Sequence, residues 1–557
     1  MSSGRLRYAP VDGADRLFTP AFNQYLVELV DRLGPRVSGL RDRRDRVLRS
    51  ALDGQQPGLL PPSEATSTDW RVASMPDELR KPGIEISGPA SIAPMLINAL
   101  NPGREGIRAE GDLDDDEDAG GHRLIDTVNS ALNRLGAVER TLSHTDEARD
   151  RHYTLQPGDL PFFMHRERGL HLDEPDVTID GRPVPAAILG TALTLFYAGK
   201  AQAERGQGIY FYVPKLESAQ EAAWYRDLFD ASRELIGLPE GSIKAIALVE
   251  SLPLVFQMEE ALHALGPYGA GLNAARWDLK ASIFEYVMDD PGSVWPDRFG
   301  VDIKMTPFIG NIFRRLVAIC LKHDAVAIGG MATPLPSRDP EVNEAAGASI
   351  RADKEWEARQ GFLRGWVAHI FHMKTAADPF KEWYATGWRP TPEMADPDNY
   401  PVRIEVPEGP VTVDGTRRNA RMLIEYVEGW LAGRGAKGID SLEGRSGVHP
   451  ALMEDLATGR MSTAQIAQRI IHSAPDSETG QRHDYALVKG LLSEQLEDIL
   501  RLRGEAGMLD DEMDRRYRDA FRVSLHWISS YTDRDFRSLG TYTRADLAQV
   551  AASPDAF

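Results

Sequence analysis

The spacing of apolar positions changes twice along the chain. Between about residues 15 and 80 they recur at helical spacing, in Phe22–Leu33 and Arg41–Leu52, up to a Pro/Gly-rich stretch at Gln55–Pro62. From residue 83 short runs of strand length take over: Ile84–Ser87, Met95–Ala99, Pro161–His165, Gly208–Val213, Ile243–Val249, Gly269–Ala275 and Ala325–Gly329. Helical stretches such as Pro185–Glu204 and Ala219–Ile236 separate several of them. Runs that are apolar on both faces suit a buried parallel sheet, and a span of roughly 260 residues suits a (β/α)8 TIM barrel. An open sheet satisfies the same alternation. After about 375 the strands stop, and Asn419–Ala432, Ser462–Ser473, Tyr485–Arg503 and Asp511–Thr532 carry amphipathic helical patterns. The predicted organisation is therefore α/β: a helical N-terminal arm (1–82), the barrel (83–375), a Pro- and Trp-rich linker (376–405) and an all-α C-terminal domain (406–557).

Composition narrows the partners. Hydrophobic residues make up 42% and charged residues 27%, as in globular proteins, and 557 residues exceed one ordinary core. A formal net charge of −20 argues against nucleic acid or an anionic membrane as partner. The single cysteine, Cys320, lies in an apolar run and reads as a buried small hydrophobe. One cysteine cannot form an intramolecular disulfide, and the N-terminus has no apolar signal region, so a cytoplasmic protein is expected. SPDAF at the C-terminus is not a peroxisomal address.

Candidate chemistry collects where strands stop. Arg166 and Arg168 follow Pro161–His165, Lys215 and Glu217 follow Gly208–Val213, Glu250 follows Ile243–Val249, and Asp278 follows Gly269–Ala275. Barrels place their active sites at those ends. Two carboxylates on neighbouring strand ends suit one hard cation such as Mg²⁺, and two solvated loop acids fit the spacing equally well. The acidic run Asp112–Asp118 reads first as a solvated loop.

Seven segments resemble malate synthase of the shorter A type, in that family's order: RERGLHLDE (166–174), GIYFYVPKLES (208–218), LVESLPLVFQMEEAL (248–262), GLNAARWD (271–278), AIGGMA (327–332), NEAAGASIRADKEWEA (343–358) and MEDLATGRMS (453–462). The resemblance implies a barrel whose mouth a helical plug covers. It also implies Mg²⁺-dependent condensation of acetyl-CoA with glyoxylate to malate and CoA, by a monomer or small homo-oligomer. By the same resemblance Glu250 and Asp278 match the metal carboxylates, and the backbone N–H groups of Trp277 and Asp278 match the glyoxylate site. Arg166 matches the enolate-stabilising arginine and Asp455 the base, brought up by closure of the plug. Asp112 and Asp114 can be laid on an acidic motif that orients the arginine and the metal waters. Pro307 and Phe308, in Met305–Phe308, sit where the family contacts CoA. The chain departs from the pattern in LKASIFEYV after Asp278, in RGWVAHI (364–370) and in LATGRM after Asp455. Those departures leave open a different 2-oxo acid or aldehyde acceptor, or a non-catalytic CoA-binding scaffold.

Overall fold

The computed structural model describes residues 4–298, 306–440 and 450–553. Eight parallel strands close into a barrel: β1 (Gly83–Gly88), β2 (Gly111–Asp115), β3 (Phe162–Arg166), β4 (Ile209–Val213), β5 (Ile243–Val249), β6 (Gly269–Ala274), β7 (Val326–Ala332) and β8 (Arg364–Val367). Each strand pairs with its sequence neighbours, and β8 closes on β1 through Arg364↔Gly83 to Val367↔Ile86. Period-2 alternation divides each strand between the interior and the helical layer. Leu113, Met164, Tyr212, Leu248, Ile328 and Trp366 pack in one interior cluster, which Met75 and Leu79 also join. One ion pair is buried among them. The Arg364 guanidinium donates to Glu85 at 3.0 Å, and the Tyr212 hydroxyl donates to the same carboxylate at 2.6 Å.

The N-terminal arm is dominated by one 33-residue helix, α1 (Pro20–Leu52), rather than two. Its buried stripe, Phe22, Leu26, Leu29, Leu33 and Val37, runs straight past Pro35, so packing outweighs the one hydrogen bond that proline removes. Helix α2 (Leu124–Val138) follows β2, α3 (Ala186–Thr194) follows β3, and α4 (Ala219–Ile236) follows β4; α1 packs across α3 and α4.

Three sequence expectations need correction. Met95–Ala99 is not a strand but part of the helix Ala93–Leu100, in which Leu96, Ile97 and Leu100 are buried at helical spacing. Strand β2 is absent from the apolar pattern because four of its five residues are Gly or Asp, yet all five are buried. The proposed linker begins too early. Three helices of the barrel layer follow its later strands: α5 (Arg276–Tyr286), α6 (Pro307–Lys322) and α7 (Met373–Ala385), and α7 packs on β1 and β8.

The C-terminal domain is helical: α8 (Val413–Leu431), α9 (Leu456–Ile471), α10 (Tyr485–Glu505) and α11 (Asp511–Thr532). Helix α9 starts at Leu456, six residues before the predicted Ser462, with Asp455 as its N-cap. It is buried on nearly every face between α8, α11 and the barrel helix α5.

Candidate active site

Strand polarity brings the singled-out residues to one end of the barrel. Glu250 directly follows β5, and Asp278 is the third residue of α5, just beyond β6. A third carboxylate, Asp118, arrives from the segment after β2. Oxygens of Asp118, Glu250 and Asp278 lie within 4.8 Å of one another, and all three residues are buried. Glu250 Oε1 accepts the Lys215 backbone N–H, while the buried Oε2 has no hydrogen-bond partner among the described residues. The Lys215 ammonium donates to both Asp118 oxygens, at 3.0 and 3.1 Å, and to Asp278 Oδ2. Burial pushes the Glu250 carboxyl up to about 7 against the pull of Lys215, and burial likewise raises Asp278. Such a donor set fits a divalent cation: three hard oxygens, one of them orphaned, whose mutual repulsion needs positive charge.

Arg166 ends β3, opposite Asp115, which ends β2. Its Nε donates to Asp115 Oδ1 at 2.7 Å, its Nη2 to Asp115 Oδ2, and its Nη1 pairs with Asp118 at 3.2 Å. The guanidinium lies 5.4 Å over the Trp366 ring. Glu117 adds a fourth acid. Its Oε2 accepts the Gly169 N–H, and burial pushes its carboxyl up to about 8.

From the helical domain comes Asp455, already facing the barrel. Its Oδ1 accepts the Thr458 N–H at 3.1 Å. Desolvation and the charges of Asp118 and Asp278 hold its carboxyl well above the usual range, with Arg166 opposing them. One helix turn on, Arg460 donates to Asp278 Oδ1 at 3.2 Å and grips Glu285 of α5 with two N–H groups. The N–H groups of Trp277 and Asp278 lie in the first turn of α5, where no intrahelical carbonyl can pair them. The Trp277 ring is flanked by Lys280 at 4.6 Å and Arg298 at 5.0 Å.

Arg166, Glu250, Trp277, Asp278 and Asp455 are thus brought to one mouth, and Asp112 and Asp114 are not. On β2, Leu113 faces the interior, so its neighbours Asp112 and Asp114 face the helices. Asp114 takes Arg134 of α2 at 2.6 Å and His165 at 2.6 Å, and Asp112 is a buried acid raised well above its usual range. The acids at the mouth are Asp115, Glu117 and Asp118, three or four positions further on. The whole run is buried, so the solvated-loop expectation also fails. Arg134, Arg166 and Lys215 compensate it.

Phe308 is packed in the main core, and Pro307 is exposed. Met305 lies outside the described residues. Arg168 holds Glu174 at 2.6 Å, a structural pairing. Burial pushes the Cys320 thiol up to about 12, as befits a core residue.

A closed parallel barrel with buried carboxylates, an arginine and a strand-end lysine at its C-terminal mouth defines a barrel enzyme with a candidate divalent-cation site. Residues 162–390 match the family model for the malate synthase TIM barrel domain, and residues 410–544 match that for the malate synthase C-terminal domain. Malate synthase A of Escherichia coli (strain K12) is 34% identical, with 95% of each chain covered. The malate synthase of Streptomyces clavuligerus is 34% identical over 95% of this chain and 96% of its own. That of Myxococcus xanthus is 34% identical over 86% of each. The chain belongs to the malate synthase family, Mg²⁺-using acyltransferases that condense acetyl-CoA with glyoxylate to give malate and CoA. Among the described residues no helix is long and apolar enough to cross a membrane.

Proposed function

We propose that this mouth carries out the family's condensation, with Asp118, Glu250 and Asp278 holding Mg²⁺. The observation that carries the reading is the convergence of those three carboxylates with Arg166 from the barrel and Asp455 from the plug. Bound there, Mg²⁺ would supply Lewis-acid polarisation of the aldehyde carbonyl and positive charge to offset the acids. The first-turn N–H groups of Trp277 and Asp278 present a helix N-terminus to the glyoxylate carboxylate. Asp455 takes a proton from the acetyl methyl group. The electron pair of that C–H bond becomes the enolate, whose oxygen faces Arg166. Because Asp115 and Asp118 already hold the guanidinium, stabilising that charge requires no rearrangement. The enolate carbon then bonds the aldehyde carbon as the carbonyl π pair passes to the aldehyde oxygen, which takes up a proton; water adds to the thioester carbonyl and the C–S bond breaks, giving malate and, with a proton, the CoA thiol. Glu117, beside Gly169 and His171, is placed to orient water at the cluster. The same reading makes acetyl-CoA and glyoxylate the substrates of a cytoplasmic monomer or small homo-oligomer.

The test is free-thiol release with acetyl-CoA, Mg²⁺ and a panel of aldehydes and 2-oxo acids. Release with glyoxylate is expected. Asp455→Asn is expected to abolish it while glyoxylate and Mg²⁺ still bind. A variant that keeps most of the wild-type rate refutes Asp455 as the base. Release only with another acceptor would overturn the choice of glyoxylate, and no release with any acceptor would overturn the enzyme reading.

A further inference from the structure

We propose that Lys215 is a built-in placeholder cation. In the metal-free protein its ammonium occupies the seat between Asp118, Glu250 and Asp278, and it swings into an adjoining cavity when Mg²⁺ enters. The inference rests on the cation-site reading above.

Contacts of the ammonium are those of an ion in the seat. It bonds both oxygens of Asp118 and one of Asp278, and stands 3.7 Å from Glu250 Oε2, the orphaned oxygen. Mg²⁺ binds carboxylate oxygens at about 2.0–2.1 Å, so ion and ammonium cannot share the space between these three groups. Three buried carboxylates this close would otherwise repel one another apart or take up protons. The neighbouring cations each touch one acid of the cluster from outside, Arg166 pairing with Asp118 and Arg460 with Asp278, both at 3.2 Å. Arg166 is fixed on Asp115 and Arg460 on Glu285, each through two N–H groups. A lysine is a point charge on a flexible four-carbon stem, suited to leaving.

The structure also provides somewhere to go. A cavity of about 190 Å³ adjoins the seat: Lys215, Asp118 and Asp278 line it, and so do Glu217 and Glu285, each beside an arginine, Arg44 or Arg460. Lys215 has room to turn its ammonium that way. Its backbone can stay in place meanwhile. Lys215 has φ +53°, a left-handed conformation uncommon outside glycine, and its N–H is tied to Glu250 Oε1. The side chain is therefore aimed at the seat by a backbone that the metal ligand itself holds. The consequence is that Mg²⁺ binding exchanges one cation for another. Affinity for the ion is lowered, and the cluster stays assembled when the ion is absent.

Two measurements on the full chain test this. In calorimetric Mg²⁺ titrations, Lys215→Met is expected to bind the ion at least tenfold more tightly than wild type. Its melting temperature in EDTA is expected to fall, and that in saturating Mg²⁺ to stay near wild type. Lys215→Arg, whose fork bonds the carboxylates at two points and so yields the seat less readily, is expected to bind Mg²⁺ more weakly. Equal or weaker Mg²⁺ binding by Lys215→Met overturns the proposal. If that variant does not fold, wild-type protein decides. Acylation of Lys215 by an amine reagent, mapped by mass spectrometry, should rise on adding Mg²⁺, and unchanged or reduced labelling overturns the swing. Failure of the underlying site reads differently: Glu250→Gln would then leave Mg²⁺ binding by wild-type and variant proteins alike.

Discussion

At the scale of single residues, the mouth is built from side chains that hold one another in place before any substrate arrives. Arg166 is the clearest case. Its guanidinium is held by Asp115 through two bonds, touches Asp118 and lies over Trp366, so its position is set by three side chains. A lysine cannot reproduce the fork. Arg166→Lys is therefore expected to lower kcat by about 100-fold or more, the range seen when one preorganised donor is lost. KM for acetyl-CoA should change little, and far-UV circular dichroism should stay wild-type. A loss confined to KM would instead make Arg166 a binding group. Glu250, Asp278 and Arg166 were legible in the sequence because each stands at the end of a run that reads as a strand. Asp455 was legible only through its motif. The roles of Asp115 and Asp118 were not legible, because a strand shows its two faces to different partners and a run of seven positions, six of them acidic, does not reveal its own parity. Leu113 is the one residue in that run whose apolar character points inward, and it places Asp115 on the interior face.

At the scale of elements, local hydrogen bonds decide boundaries that apolar periodicity leaves vague. Asp455 caps α9 through Thr458, which moves the helix start ahead of the apolar stretch that announces it. Ser462 and Ser473, the predicted limits, bracket only its later turns. In β2 the driving force is not apolar at all. A strand of Gly and Asp is buried because α2 and β3 supply Arg134, His165 and Arg166 to its two faces. Polar satisfaction of that kind is invisible to a hydropathy pattern. Asp476 shows the same device where it ties the start of α8 to the turn after α9. Its carboxylate accepts N–H bonds from Val413 at 2.6 Å, Glu478 at 2.9 Å and Thr479 at 2.7 Å. Those donors pull its carboxyl down to about 2. A depressed folded-state value means the stabilisation is fully present above the ordinary carboxylate range, near pH 4, and is lost as pH falls towards 2. Asp476→Asn is expected to melt lower at pH 7 and to lose less stability than wild type between pH 4 and 2. Parallel profiles for the two proteins in thermal melts would show that the capping contributes nothing.

At the scale of the molecule, sequence texture separated a barrel from a helical domain, and the structure joins them into one unit. Catalysis on the proposed reading needs that junction, since the base comes from one part and the metal ligands from the other. The links are numerous and buried. Arg460 of α9 grips Glu285 and Asp278 of the barrel side, and the Tyr531 hydroxyl of α11 donates to the same Glu285 at 2.9 Å. Arg298 donates to Glu454 at 2.8 Å and to Ser462 at 2.9 Å. Gln465 and Gln468 donate to the backbone carbonyls of Pro296 and Ser293. Asp297 accepts from Arg469 at 2.7 Å and from the Thr412 hydroxyl at 2.6 Å. Separating the domains would strand buried charges on both sides and expose the apolar surfaces of α5 and α9. Domains joined in this way should unfold together. Differential scanning calorimetry is accordingly expected to show a single transition for barrel and plug, displaced upward as one by Mg²⁺. Breaking the junction should expose the two parts as separate units. Arg460→Met leaves Glu285 and Asp278 short of a buried cation at the interface, so it is expected to lower that transition by several degrees and to broaden or split it. Two resolved transitions in the wild-type protein, only one of them sensitive to Mg²⁺, would mean that the plug is a loosely docked lid and that closure, not a preassembled mouth, brings Asp455 to the substrate.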